Sequence, residues 1–215
     1  VSILIFLITL SIYSVPFKSE TKEKDKKAPF ISIPQGSLLT VAFITFFASL
    51  GEGAVADWSA IFLISVLSIG EGSAALGYTF FSICMFAMRL MGDRISFKFG
   101  PSKTARYSGL VALIGSIIIL TFESLLPLLI GFSLIGLGIA VIIPLAFSRA
   151  GNDKNMSQGT AIASIATLGY GGMLIGPLFV GFIAEITSIK TSFFILPILA
   201  LLIFLLSKSL SVKSH

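Results

Sequence analysis

Charge is what this sequence has least of. Only 12% of its 215 residues are charged and 55% are hydrophobic, whereas a soluble domain carries about 25% charged residues. With a mean hydropathy of +1.02, the chain reads as a polytopic membrane protein, most of whose surface is solvated by lipid. Cysteine is nearly absent too. Cys84 is the sole one, so no disulfide can form within the chain, and its apolar setting suits a small packed residue. The single histidine, His215, lies in the tail. No Ser-His-acid set, no paired metal ligands and no cofactor motif occur in the apolar runs, so neither a metal, a cofactor nor an enzymatic activity is expected. The formal charge of +5 does not point to nucleic acid, because the basic residues sit between apolar runs, as membrane topology requires. VSILIFLITLSIYSV, 1–15, is not expected to be a secretory leader, because it has no basic n-region and no small-x-small cleavage site. It reads as the last part of a helix whose beginning is missing.

What is present is a succession of apolar runs near the roughly 20 residues that a spanning helix needs. After the partial helix at 1–15 comes a polar segment, 16–36, with five lysines and three acids, read as a solvated loop. A six-helix bundle is expected over 37–210, with spans near 37–67, 72–91, 104–122, 125–148, 157–184 and 191–208, and a short tail, 211–215. With 16–36 placed inside, 14 of the 15 basic residues fall on the inner side, Arg89 among them, and only Lys190 lies outside. The positive-inside rule therefore puts both the 16–36 loop and the carboxy terminus in the cytoplasm. A bacterial inner (plasma) membrane is the expected location.

Two motifs stand out. The inner loop after the second span reads RLMGDRISFKFGPSKTAR, with Gly92, Asp93, Arg94 and, after five more residues, Gly100. A carboxylate where a helix meets a basic loop can cap a helix or pair with arginine. The second motif is GYGGMLIGP, in which Gly172 and Gly176 form a close-packing signature and Pro177 weakens the helix. A further span carries Gly131, Gly136, Gly138 and Pro144, a pattern that suits a bendable helix.

These strings resemble the major facilitator superfamily, whose members have two six-helix halves and a loop motif of the form G-x-x-x-D-R-x-G-R-R. The copy here is degenerate, with Arg89 in the region where the motif often has a glycine. GYGGMLIGPLFVGFIAE and GEGAVADWS look similar to poorly characterised bacterial members distantly related to fucose-permease-like sugar carriers. The resemblance implies the end of helix 6, the central loop and helices 7 to 12, hence an amino-terminal half outside this sequence as a partner. It also implies that Asp93 approaches Arg149, at the end of a neighbouring span, in one conformational state.

GEGAVADWS, 51–59, poses the functional question. An ionised acid near the bilayer centre costs at least about 2.5–3.5 kcal/mol, yet Glu52 and Asp57 both sit inside an apolar run. Burial disfavours the charged carboxylate, so Glu52 can take and release a proton or hydrogen-bond a polar solute. It can also pair with a group on the absent half. Trp58, the only tryptophan, offers a ring face to a sugar or cation, or else marks the approach to the interface. Tyr78 and Tyr170 complete the candidate solute-binding set. The expected function is secondary transport of a small polar solute by alternating access. A sugar or related metabolite moved by proton symport is the first expectation. Drug or metabolite efflux is the second, and a non-transporting sensor or assembly protein on a transporter-like half the alternative of another class. The expected partners are the solute, lipid and the other half, and not nucleic acid.

Overall fold

The computed structural model describes residues 34, 36–153 and 155–211. The expected helix at 1–15, all but two residues of the 16–36 loop and most of the tail lie outside the described residues. The fold is all-α. Among the described residues, six helices are long and apolar enough to cross a membrane: α1 (Ser37–Leu67), α2 (Glu71–Phe99), α3 (Pro101–Thr121), α4 (Leu125–Gly151), α5 (Gln158–Ile186) and α6 (Ile189–Leu210). The shortest has 21 residues, about 31 Å at 1.5 Å per residue, enough for a hydrocarbon core of about 30 Å.

The largest departure from the sequence reading concerns the basic loop. Nothing between Gly92 and Phe99 breaks a helix, so α2 runs eight residues beyond the expected end at 91. The connection shrinks to Gly100, whose φ of 83° only glycine adopts readily, and Pro101 starts α3 at the position that suits proline. Gly92, Asp93 and Arg94 are therefore helical and not a loop. Arg89 is corrected with them. It lies ten residues before the end of α2, about 15 Å along the helix from that end, which leaves 13 of the 15 basic residues for the side expected to be inner.

Three spans carry local breaks. In α2 a turn at Ala75 separates Glu71–Ala74 from Leu76–Phe99. In α6 a first turn, Ile189–Ser192, precedes Ile195–Leu206. In α4 the helix is interrupted at Ala140 and Val141, between Leu125–Ile139 and Ile142–Gly151. Pro144 accounts for that break, since it has no N–H to give the Ala140 carbonyl.

Lipid tails are as apolar as leucine, so these helices associate through close packing rather than water exclusion. The tightest association is α1 against α5. A Cβ at Gly172 would collide with the Phe46 carbonyl, one at Gly176 with the Leu50 carbonyl, and one at Gly53 would lie 2.5 Å from the Met173 carbonyl oxygen. Gly115 and Gly131 allow the same approach between α3 and α4. The rings of Phe62, Phe132 and Phe193, all fully buried, join α1, α4 and α6, with 4.5 Å between the centroids of Phe62 and Phe193. The apolar window of α1 is 67% buried and that of α4 61%, against 22% for α2 and 28% for α5. The first two are thus central, and the last two present apolar faces, such as Phe86 and Leu90 or Leu174 and Leu178, to whatever surrounds the bundle.

At the end of the bundle where α6 begins, Lys190 Nζ donates to Glu123 Oε1 at 2.6 Å, tying α6 to the α3–α4 turn. That hydrogen bond, and next the lysine charge, hold the Glu123 carboxyl below its ordinary value of 4.5. Because the folded value is depressed, the contribution to stability is full above the ordinary value and disappears as pH falls through the lowered one. The melting difference between the parent and Lys190→Gln should thus be small but present at neutral pH and vanish once Glu123 is protonated. A difference that persists in acid would assign the effect to something other than this pair.

Candidate functional site

Glu52 is the sixteenth of 31 residues in α1, so its side chain starts near mid-depth. Counting back along a helix at 100° per residue, Ser49 and Thr45 fall within about 60° of it and share its face. That face borders a cavity of about 190 Å³. Glu52, Thr45 and Ser49 of α1 line it together with Arg89 of α2, Ile143 and Phe147 of α4, and Gly169, Tyr170 and Met173 of α5. A drug-sized ligand site runs to about 300–1,000 Å³, so a second surface facing the cavity is needed to build one of that size.

Arg89 is the partner of Glu52. Its Nη2 donates to both Oε1 and Oε2 at 3.4 Å each. Charge-assisted bonds of this type are usually about 2.7–2.9 Å, and Arg and carboxylate often meet through two nitrogens. The pair is loose, and it is open to the cavity, with 43% of the Arg89 side chain and 20% of the Glu52 side chain exposed. The sequence reading left the partner of Glu52 to the absent half; the structure supplies one from the same bundle. Arg89 also lines a second, larger cleft of about 450 Å³, with Asp93, Ser96 and Phe97 of α2 and Pro144, Leu145 and Ser148 of α4. The guanidinium therefore borders both spaces.

The other expected site residues divide. Tyr170 is brought to Glu52, mostly exposed along the cavity. Asp57 is not. Five residues on from Glu52, it points about 140° away, is exposed, and has no ion pair among the described residues. Trp58 needs a correction. Its Nε1 donates to the Pro177 carbonyl at 3.0 Å, and its ring fills the space left by Gly181, so the indole edge serves the α1–α5 contact. Tyr78 stacks on Phe81 at 5.9 Å near the start of α2, eleven residues from Arg89, about 16 Å along the helix.

The expected approach of Asp93 to Arg149 is not what this conformation contains. Arg149 Nη1 donates to Asp153, four residues on, at 3.1 Å, and its Nη2 to Ser37 Oγ at 3.1 Å. A local acid at the end of the same span occupies it, at lower cost in chain ordering than a distant one. Asp93 lines the larger cleft, exposed and without an ion pair among the described residues.

Sequence reasoning missed Thr45, Ser49 and the role of Arg89. The first two had a signal, since 45, 49 and 52 make a polar stripe at helical spacing in an otherwise apolar run. Arg89 had one too: it precedes the first helix breaker by eleven residues. No group of three metal-ligating side chains lies together among the described residues.

No protein-family model matches the chain. Over 191 residues it is 38% identical to an uncharacterised transporter of Sinorhizobium fredii, with 89% of this chain and 51% of that one covered. Over 165 residues it is 38% identical to an uncharacterised MFS-type transporter of Yersinia pestis, covering 77% and 43%. Over 148 residues it is 34% identical to the membrane protein MosC of Rhizobium meliloti, covering 69% and 36%. The chain thus spans about half the length, or less, of the curated relatives it matches. Among solved structures it superposes on a peptide transporter POT in complex with alafosfalin, with a TM-score of 0.69, 18% identity, and 83% of this chain and 39% of that one covered. At that identity the likeness is one of fold.

Proposed function

We propose, on the premise that this chain belongs to the major facilitator superfamily, that it supplies one six-helix half of a secondary carrier. The carrier moves a small polar solute, sugar-like or a related metabolite, by alternating access with proton coupling. The observation that carries this reading is the Glu52–Arg89 ion pair at mid-depth, exposed to a cavity that also displays Ser49 and Tyr170. Ionisable groups within spans are costly and mark solute and proton paths, and carriers of this kind bind near the midplane between repeats. The cavity is open on one side, and the apolar faces of α2 and α5 flank it. A second six-helix unit seated there would close the site and cover those faces. The 16–36 segment and the carboxy terminus lie on the cytoplasmic side of a bacterial inner membrane in this reading, on the strength of the 13 basic residues that share a side.

The test is uptake into vesicles that carry the full-length protein and enclose a pH-sensitive dye, across neutral sugars, polyols and small carboxylates. Saturable uptake of one class, with acidification of the lumen, is expected. If no solute moves, a sensor or assembly role replaces transport.

A further inference from the structure

Resting on the carrier reading, we propose that the solute is a small monocarboxylate, bound by the Arg89 guanidinium in exchange for Glu52. The first reason is geometric. One nitrogen of Arg89 serves both Glu52 oxygens, at 3.4 Å, and Nη1 and Nε donate to nothing among the described residues. A guanidinium has five N–H donors arranged as a fork that fits a carboxylate through two nitrogens. The edge that would make such a fork is unused, and Arg89 borders the cleft of about 450 Å³ as well as the cavity that holds Glu52.

The second reason is charge. With the cavity empty, Arg89 and Glu52 sum to zero. A monocarboxylate on Arg89 releases Glu52, and a lone carboxylate at mid-depth is costly. Protonation of Glu52 returns the sum to zero: arginine positive, solute negative, glutamic acid neutral. One proton therefore accompanies each monoanion, and no bond other than the O–H is made. A dianion such as a phosphate monoester would leave one negative charge uncompensated, and a neutral sugar would give Arg89 no reason to let Glu52 go. The other titratable groups nearby are Asp93 on α2 and Tyr170 on α5. The lining of the two spaces contributed by α4, namely Val141, Ile143, Pro144, Leu145, Phe147 and Ser148, is uncharged. The hydroxyl-bearing residues Ser49 and Tyr170, which line the same cavity as Arg89, suit a hydroxylated acid, so sugar acids are the preferred members of the class.

The experiment uses the purified full-length protein and matched probes: D-gluconate against D-glucitol, and D-galacturonate against D-galactose. Thermal stabilisation measures affinity, and proton uptake on binding is followed in weakly buffered solution. At least one carboxylate should bind, its neutral counterpart should not, and close to one proton should be taken up per molecule bound. Arg89→Gln should weaken carboxylate binding by about 10–100-fold, the equivalent of one charge-assisted hydrogen-bond set. Glu52→Gln should bind the carboxylate at least as tightly, with no proton uptake. Should Arg89→Gln prove unstable, the Glu52→Gln/Arg89→Gln double variant restores a neutral site, and it should fold and fail to bind. Binding of the neutral probes with Arg89→Gln unimpaired would overturn the proposal and leave the carrier reading intact, as would failure of both carboxylates to bind while a neutral solute is transported. Failure of every probe to bind or cross the membrane would remove both.

Discussion

Glu52→Gln in the full-length carrier is expected to abolish proton-driven accumulation while exchange of solute across the membrane remains measurable. Glutamine keeps the size of the side chain and can still accept from Arg89, so the cavity keeps its shape. What it loses is the ability to alternate between a charged form that neutralises Arg89 and an uncharged form that does not. A solute gradient built on protons needs that alternation in every cycle. Exchange needs only the loaded form, and an anionic solute on Arg89 keeps the loaded form neutral. The empty variant, by contrast, carries an unpaired arginine at mid-depth and resists reorientation, at a cost on the order of the 2.5–3.5 kcal/mol that translocon-insertion scales assign a central charge. Accumulation ratios should therefore fall to the equilibrium value at every pH. Asp57→Asn, on a different face of α1, should accumulate like the parent. A Glu52→Gln carrier that concentrates solute as the parent does, from acid to mildly alkaline medium, would show that Glu52 is not the coupling acid.

A single methyl group at position 176 is expected to unseat α5 from α1. In Gly176→Ala the new Cβ meets the Leu50 carbonyl, a backbone atom that cannot rotate away, and the Ala54 nitrogen lies 3.3 Å off. The helices must separate, and overpacking of this kind costs about 1–3 kcal/mol, or more when backbone has to move. The value here should sit at the upper end, because separation also stretches the Trp58 to Pro177 hydrogen bond. Gly171→Ala is the control: nothing lies within 4 Å of the added carbon, and alanine is the better helix former by up to about 1 kcal/mol. Melting of the purified chain in detergent should therefore drop sharply for Gly176→Ala and hold or rise for Gly171→Ala. Equal behaviour of the two variants would mean that α1 and α5 do not meet where the structure places them.

The fold was easier to read than the site. Long apolar runs, each interrupted by turn residues, announce spanning helices without any knowledge of neighbours, because lipid demands that every span satisfy its own backbone. The same logic misplaced the end of α2. The segment 92–99 contains Asp93, Arg94 and Lys98, and polarity of that kind resembles a loop, whereas long basic side chains reach the interface from a helix that has not yet ended. The true stop, Gly100 followed by Pro101, was visible as a breaker pair. That error hid Arg89, which lies ten residues inside the helix once α2 is extended and is paired with Glu52. Glu52 itself was legible because an acid inside an apolar run has few bland explanations. Trp58 was not. Its role depends on which helix lies opposite, and the carbonyl of Pro177, 119 residues away, leaves no trace in the local sequence.

The interruption of α4 has a mechanical consequence. The first piece, Leu125–Ile139, lies with α2 and α3, and it begins beside the Glu123–Lys190 tie; the second, Ile142–Gly151, lies with α1 and α5. Ala140 and Val141 thus form a coupling between a braced end of the bundle and a freer one. A bend there would swing Arg149, together with the Ser37 end of α1 to which it is hydrogen-bonded, and leave the α3–α4 turn held to α6 by Lys190. Val141 also stands against Gly92 of α2, with its Cγ1 only 2.7 Å from where a Cβ would sit, so the fulcrum bears on the segment that holds Asp93.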